Sequence, residues 1–445
     1  MNTIEDKATR NGEISRLEEQ LTEAQDSGEV EETIQLRIRL GQRLLEEGKA
    51  PQALTHFNHA YQDAQQQGEK ALEAQISGYR GLALKKIGNL SQALSAFLKS
   101  NKIAREINHL PTICDSSIQG ALIYAQNKKY DKAQALLERA WDIARKRGYT
   151  KRKVNIASLL GEHHFEMGNP QESIRYYRLA YEAAKAQGDM HALCTNLTNA
   201  GKVHLSLEEY QTAGEIFRET LDRASQSGNP ALEIHALEGI FLTHAQQGEI
   251  EDAAFYGDKV IKRATAINQP QSALEMIQSM ATMYTDHGKY RESLPYLDHG
   301  LEIASKEGDI FFQTRFLSIL GFAQYNLGHL EDALENYQTL LKRSTEYQEQ
   351  AIQALALSRI SSIYADQGKT QEALTHAQQG LALAQKGTEK RLVGELQAML
   401  AYLYQDLEDP EKALHHCEKA IEAYRSTGET APGEALQELR VELQD

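Results

Sequence analysis

The sequence predicts an all-α fold built from repeated helix pairs, an α-solenoid, and two observations support this prediction. The first is a period of forty residues, in which seven of ten equally spaced positions are glycine. The second is an alanine or serine five positions after each of the ten. A fixed period of this length is typical of structural repeats that stack on their neighbours. The ten positions are Gly48, Gly88, Lys128, Gly168, Glu208, Gly248, Gly288, Gly328, Gly368 and Glu408.

Each period contains two helical patterns. In the second half of the first period, Ala53, Phe57 and Ala60 lie at i, i+4 and i+7, which places them on one helix face. In the first half, a small residue such as Gly41 recurs in later periods as Gly161 and Gly321. Small residues allow neighbouring helices to approach closely, and an aromatic ring fills the space between them.

The turns between helices carry glycine or asparagine. A second series of positions, twenty residues after the first, contains Gly68, Asn108, Gly148, Gly188, Gly228, Asn268, Gly308, Gln348, Thr388 and Gly428. Glycine and asparagine tolerate the positive φ that closes a helix, so we predict left-handed residues where the two series carry glycine or asparagine. Most prolines occur where a helix is predicted to begin. Pro295 lies inside a predicted helix, and we expect it to bend that helix or delay its start.

These motifs resemble the tetratricopeptide repeat. The pair Ala121 and Tyr124 fits the family's small-x2-aromatic pattern, and Ala53 and Phe57 fit its Ala-x3-Phe pattern. The forty-residue period exceeds the common repeat of about 34 residues. It resembles the longer repeats of the GoLoco-binding mitotic adaptors and of bacterial arrays attached to signalling or protease domains. The tryptophan of the common signature is missing, since Trp141 lies in a second helix. The resemblance implies a right-handed superhelix of about ten pairs with an extra helix at each end.

The repeat frame predicts the domain organisation. We expect residues 1–10 to be disordered and residues 11–428 to form one continuous solenoid, with a half-repeat at 11–28 and ten repeats over about 29–428. Residues 429–445 place Leu436, Leu439 and Leu443 on one helix face, which suits a capping helix. The alternative is a helix that leads into a further domain.

Composition limits the functional classes. The chain has 445 residues, a formal net charge of −15, and neither an apolar run of transmembrane length nor a secretory signal pattern. The three cysteines are far apart, which favours reduced core residues and a cytoplasmic location. Phosphate-binding and nucleophile-elbow motifs are absent, so we expect no catalysis and no cofactor.

A basic block interrupts this acidic chain, because residues 81–160 hold fifteen Lys or Arg and only five Asp or Glu. We predict a surface that docks an acidic protein segment or phosphorylated group, with a solvated charged face as the alternative. Nucleic acid is a less favoured partner, and self-association through the chain's own acidic repeats stays open. We expect the run Arg145–Lys153 to form one turn between repeats. The predicted basic surface comprises Lys99, Lys102, Arg105, Arg139, Arg145, Lys146, Arg147, Lys151, Arg152 and Lys153.

In the family that the chain resembles, first helices line a concave groove that holds peptides or partner helices. The amides, hydroxyls and aromatics at matching positions suit such a ligand, although some of them would simply pack on adjacent helices. The lysine and asparagine pattern that clamps a C-terminal carboxylate in chaperone-binding members is missing. The groove candidates are Asn155, Ser158, Glu162, Phe165, Thr195, Thr198, Lys202, Glu238, Leu242, Gln278, Thr282, Arg315, Phe322, Tyr325 and Tyr402.

The histidines give weak support for a metal site. His164, His204 and His244 recur one repeat apart, too far to share an ion when packed helices lie about 8–10 Å apart. A second group, His376, His415, His416 and Cys417, has residues in register on neighbouring second helices. Without a recognised ligand spacing, we interpret both groups as core or surface residues and predict no metal.

The sequence therefore predicts a non-enzymatic interaction scaffold or regulatory module. It would bind a protein or peptide in the groove and an acidic partner on the basic surface. The first alternative is the sensor or inhibitory region of a signalling enzyme or protease, in a longer chain or a separate subunit. The second is an adaptor associated with nucleic acid.

Overall fold

The computed structural model describes residues 2–428 and 431–444, and this part of the chain forms 22 α-helices. Consecutive helices pack as antiparallel pairs, so the predicted all-α repeat architecture is confirmed. The chain divides into two compact units, residues 1–239 and residues 240–445. The single continuous domain predicted over residues 11–428 stays a prediction.

The first unit, residues 1–239, begins with an unpaired helix that five helix pairs follow. Its helices are α1 Asn2–Ser27, α2 Val30–Glu46, α3 Ala50–Gln67, α4 Lys70–Ile87, α5 Leu90–Glu106, α6 Leu110–Gln126, α7 Tyr130–Arg147, α8 Thr150–Glu166, α9 Pro170–Gln187, α10 Met190–Ser206 and α11 Tyr210–Ser227. The division from the second unit falls inside α12, Pro230–Gln246.

The second unit, residues 240–445, continues the same alternation of first and second helices. Its further helices are α13 Ile250–Ala266, α14 Pro270–Asp286, α15 Tyr290–Glu307, α16 Ile310–Asn326, α17 Leu330–Glu346, α18 Gln350–Asp366, α19 Thr370–Ala384, α20 Lys390–Asp406, α21 Pro410–Thr427 and α22 Ala431–Glu442. Even numbers from α2 to α20 are first helices of a pair, and odd numbers from α3 to α21 are second helices.

In several pairs, the two helices meet where a glycine of the first helix faces an aromatic ring of the second. A Cβ atom added to Gly41 would lie 2.5 Å from the Phe57 ring, closer than real Cβ atoms approach other atoms. The same contact joins Gly81 to Phe97, at 2.6 Å. Both rings are almost fully buried. The predicted combination of a small first-helix residue and a second-helix aromatic therefore sets how closely the paired helices approach.

The left-handed turns predicted at the glycines and asparagines of the two series are confirmed, and in all nineteen of the twenty positions have positive φ. Glycine is not required: Glu208 has φ +60° and Lys128 has φ +55°. At these turns the following N–H donates to a helix carbonyl, as Glu209 N does to His204 O at 3.0 Å. The exception is Thr388, because α19 ends at Ala384 and the turn after it has no positive φ.

Two local features differ from the sequence expectations. Pro295 does not delay its helix, since α15 begins at Tyr290 and continues through the proline to Glu307. The proline removes only one N–H, the donor to the Arg291 carbonyl, and the rest of the hydrogen-bond ladder remains. At the N-terminus, α1 begins at Asn2, whereas the predicted half-repeat begins at residue 11 and leaves residues 1–10 disordered.

At the other end, α22 packs on the last helix pair. Leu436 and Leu439 are buried in one cluster with Cys417 and Ile421 of α21, and Leu443 packs against that cluster. The Cys417 thiol donates to the Leu436 carbonyl at 3.0 Å. Of the predicted capping segment, residues 429, 430 and 445 lie outside the described residues.

A matched pair of substitutions in α4 tests the glycine–aromatic contact. Gly81→Ala should lower the free energy of unfolding by about 1–3 kcal/mol, because its methyl group would overlap the buried Phe97 ring. Gly78→Ala lies three residues earlier, where the added Cβ would be 3.5 Å from Ser100 Oγ, an ordinary contact. That control should be neutral or stabilise by up to about 1 kcal/mol, since alanine favours helix. Chemical denaturation of both variants measures the difference, and equal stabilities would contradict the contact.

Replacing a non-glycine residue of positive φ with glycine should stabilise the folded chain. Glu208→Gly removes the steric cost of positive φ at an exposed turn and should raise the free energy of unfolding by about 1 kcal/mol. The reverse change, Gly248→Ala, has open space around the added Cβ, so backbone strain alone should destabilise it by a similar amount. Thermal denaturation of both variants checks the opposite signs, and shifts in the same direction would show that φ is not the cause.

Candidate functional site

The predicted groove residues of the first unit lie on α8, α10 and α12. Asn155, Glu162 and Lys202 are exposed, as predicted for a binding face. Thr195 is half-buried, and its hydroxyl donates to the His191 carbonyl of its own helix at 2.9 Å. Thr198 is buried, so it packs inside the unit and does not line a groove.

An open cavity of about 520 Å³ lies on the first helices α4, α6 and α8 of this unit. At its edge, the Arg152 guanidinium donates two hydrogen bonds to the Asp115 carboxylate, at 2.8 and 2.7 Å. This hydrogen-bonded carboxylate raises the pKa of Arg152. The lining combines amides, hydroxyls and apolar groups: Gln75, Gly78, Tyr79, Leu82, Phe97, Ser100, Pro111, Thr112, Asp115, Ser116, Ile118, Gln119, Arg152 and Asn155.

Sequence reasoning found only Asn155 and Arg152 among these lining residues. It missed Asp115 and Gln75, although they precede Asn155 by one and two periods. The repeat frame therefore contained the signal, because residues at equal positions in successive first helices occupy equivalent places. The Arg152–Asp115 pair joins α8 to α6 and required the three-dimensional structure.

In the second unit, α16 exposes an aromatic face. Phe311 is 56% exposed and Phe322 is 40% exposed. The Arg315 guanidinium carbon lies 5.0 Å from the centre of the Phe311 ring, and Phe322 meets Tyr290 edge to face at 5.9 Å. Sequence reasoning included Arg315 and Phe322 but missed Phe311, which stands four residues before Arg315 on the same face.

The other predicted groove residues of this unit are more constrained. Gln278 on α14 is half-buried. Tyr325 is also half-buried, and its hydroxyl donates to Asp366 of α18 at 2.5 Å. This hydrogen bond raises the pKa of Tyr325 to about 12. The contact links two first helices, so Tyr325 has a structural role whatever the face binds.

The predicted basic surface divides between second helices and one first helix. Lys99, Lys102 and Arg105 lie on α5, and Arg139 and Arg145–Arg147 lie on α7; all seven side chains are exposed. Arg145 has a distant partner in Asp142, at 3.4 Å. Within the described part of the chain, the other six form no ion pair. The α5 and α7 residues are called the basic surface below.

The expectation of one continuous basic turn from Arg145 to Lys153 was wrong. Arg147 ends α7 and Thr150 begins α8, so only Gly148 and Tyr149 separate the helices. Lys151–Lys153 form the first turn of α8 and belong to a first helix. Positive charges in the first turn of a helix interact unfavourably with its macrodipole. For Arg152, the hydrogen bonds to Asp115 offset this cost.

Four of the candidate histidines stack on tyrosines within their own repeat. His164 lies over Tyr176 with ring centres 5.2 Å apart and planes 7° apart. His376 and His416 stack in the same way, on Tyr364 and Tyr404. Burial lowers the pKa of His164, His376 and His416. Each imidazole is therefore a packing element that is favoured in its neutral form.

One group of potential metal ligands forms in the described part of the chain: His244, Glu249 and Asp252. His244 Nδ1 lies 2.5 Å from Glu249 Oε2. The same contact recurs one period earlier between His204 and Glu209, also at 2.5 Å. The recurrence indicates a hydrogen bond that connects the end of a first helix to the start of its second helix.

Three segments of the chain match sequence models of one family. Residues 118–186, 353–387 and 394–427 each match a model of the tetratricopeptide repeat. Together with the paired helices and their period, these matches decide the family. The chain contains tetratricopeptide repeats. Repeats of this family typically mediate protein–protein interactions and are generally non-catalytic.

Several known proteins are similar to this chain at low identity. The signal transduction ATPase with a tetratricopeptide repeat sensor from Pyrococcus horikoshii has a TM-score of 0.54 and 12% identity, covering 88% of this chain and 67% of that one. Aspartyl phosphate phosphatase F from Bacillus subtilis has a TM-score of 0.48 and 16% identity, covering 79% and 94%. The MAU2 chromatid cohesion factor homolog of Drosophila willistoni is 26% identical over 152 residues, 34% of this chain. That match spans only 22% of the curated relative's length.

The helices of the described residues all fall short of the length or the hydropathy that a bilayer span requires.

The stacked histidines predict that stability falls in acid. A histidine with a lowered folded pKa binds fewer protons in the folded chain than in the unfolded one, so protonation favours unfolding as the pH drops below about 6.5. His376→Tyr keeps a stacking ring without a titrating imidazole, and equivalent positions hold Tyr176 and Tyr256. Between about pH 7 and pH 5, this variant should lose less unfolding free energy than wild type. The exposed His329→Gln should keep the wild-type slope; identical slopes for all three proteins would contradict the prediction.

Proposed function

We propose that the chain is a non-enzymatic scaffold that binds a peptide segment of a partner protein on its first-helix faces. The main support for this proposal is the exposed aromatic face of α16. Phe311 and Phe322 keep large exposed areas on a helix whose opposite side is fully packed, and Arg315 lies against the Phe311 ring. Aromatic and arginine side chains of this kind commonly dominate the energy of protein interfaces.

The basic surface is the proposed second contact, for an acidic segment of the same partner. Its exposed cations have few intramolecular carboxylates to satisfy them, while the chain as a whole carries a net charge of −15. An acidic peptide would therefore be attracted to this region and repelled elsewhere. The three buried free cysteines support a reducing, cytoplasmic setting for this interaction.

A peptide library displayed on phage, selected against the full-length chain, tests the α16 face. The double variant Phe311→Ala with Phe322→Ala should weaken binding of the selected peptides about tenfold or more, because each ring removes buried contact area. Phe255→Ala is the matched control, since Phe255 is 55% exposed but lies on the second helix α13. Unchanged affinity in the double variant, or an equal loss in the control, would contradict a binding role for the face.

The basic surface needs a separate experiment. Lys102→Glu with Arg139→Glu should reduce binding of acidic library peptides, and added salt should weaken the wild-type interaction. The control is the double variant Lys262→Glu with Lys306→Glu, on the second helices α13 and α15, which changes the net charge by the same amount. If both charge variants lose affinity alike, net charge and not this surface governs binding.

A further inference from the structure

One arginine stands where the repeat frame otherwise places a buried apolar residue. Arg80 of α4 is equivalent to Leu40, Leu160 and Leu320, all of which are buried. Its side chain is half-buried and contacts Asn58 and Tyr61 of α3. Burial lowers the pKa of Arg80, and no carboxylate acts on it. A partly desolvated guanidinium without a counter-charge is unfavourable, so a bound anion would stabilise it.

A second cation lies near the same aromatic ring. The Arg80 guanidinium carbon and the Lys99 ammonium nitrogen are each 4.8 Å from the centre of the Tyr61 ring. The two charged groups are therefore less than about 10 Å apart, close enough to reinforce each other's field. Within the described part of the chain, neither forms an ion pair.

The third observation is an unsatisfied hydroxyl. Tyr61 is 5% exposed, and its hydroxyl is buried without a hydrogen-bond partner among the described residues. Arg80 uses Nε to donate to Asn58 Oδ1 at 2.7 Å, which orients the guanidinium and leaves both terminal nitrogens free as donors. Lys99 is exposed and is one of the residues of the basic surface, so its contact with Tyr61 adjoins that surface.

We propose that Arg80, Lys99 and Tyr61 form an oxyanion subsite that takes the phosphate group of a phosphorylated side chain on the partner protein. The inference deepens the acidic docking proposed for the basic surface and rests on that proposal. A phosphate monoester at neutral pH carries close to two negative charges and three acceptor oxygens. Those charges balance the two cations, and the free guanidinium nitrogens and the ammonium supply the donors. A single carboxylate would leave one of the two cations uncompensated.

The first test measures thermal stability of the full chain while inorganic phosphate replaces chloride at constant ionic strength. Wild type should gain about 2 °C or more in Tm, because a ligand that binds only the folded state stabilises it. Arg80→Leu restores the residue type of equivalent positions; it should be at least as stable as wild type in chloride and lose the phosphate response. Lys99→Gln should reduce that response, which keeps the test valid if Arg80→Leu fails to fold.

The matched control is Lys102→Gln, an exposed lysine of the same helix as Lys99 with no contact to Tyr61. It should keep the full phosphate response. The proposal is overturned if wild type and Arg80→Leu respond equally, or if Lys102→Gln loses the response as completely as Arg80→Leu does. The second result would describe diffuse attraction by the whole basic surface.

A second experiment, with peptides, distinguishes this subsite from the wider docking proposal. The probe is a pentapeptide with phosphoserine between two pairs of glutamates, compared with its unphosphorylated form. Wild type should bind the phosphorylated form about tenfold or more tightly, and Arg80→Leu should bind both forms alike. Equal binding of both forms by wild type would refute the subsite and leave the basic surface intact. If only the double variant Lys102→Glu with Arg139→Glu loses binding of both peptide forms, the result would support docking on the basic surface without the subsite.

Discussion

The structure depends on the close approach of the two helices in each pair. Where Gly41 faces Phe57 or Gly321 faces Tyr337, the absence of a side chain on one helix makes room for a full ring from the other. The ring is then buried on all sides, and the helices cannot slide past each other without losing that contact. Because the contact recurs at a fixed period, it also fixes which face of every first helix remains open to solvent.

That open face explains how a regular scaffold acquires distinct chemistry. The residues that hold the pairs together leave only a few first-helix positions free to vary, and their side chains differ from repeat to repeat. In the first unit they supply Arg152 and Asp115 around an open cavity, and in the second they supply Phe311 and Arg315. The second helices contribute the basic surface independently.

The sequence was sufficient to predict the helix pairs and their turns, because both follow from periodic small, aromatic and glycine residues. It also identified Arg315 and Phe322 on an exposed face. It could not predict the Arg152–Asp115 pair, since a contact between residues 37 positions apart depends on side-chain direction. The error over Arg145–Lys153 has a related cause: a run of charges does not show where one helix ends and the next begins. Thr198 was wrongly predicted to line the groove, because a shift of one residue along a helix moves a side chain to a different face.

The uninterrupted period has a consequence for the history of the chain. The forty-residue period runs from Gly48 to Glu408 without an insertion, so any segment of forty residues contains the equivalent of one first helix and one second helix. Duplication or loss of such a segment joins equivalent positions and keeps every ring opposite its glycine. Recombination within the gene can therefore lengthen or shorten the protein in whole repeats, and can bring the exposed side chains of distant repeats next to each other without rebuilding the core.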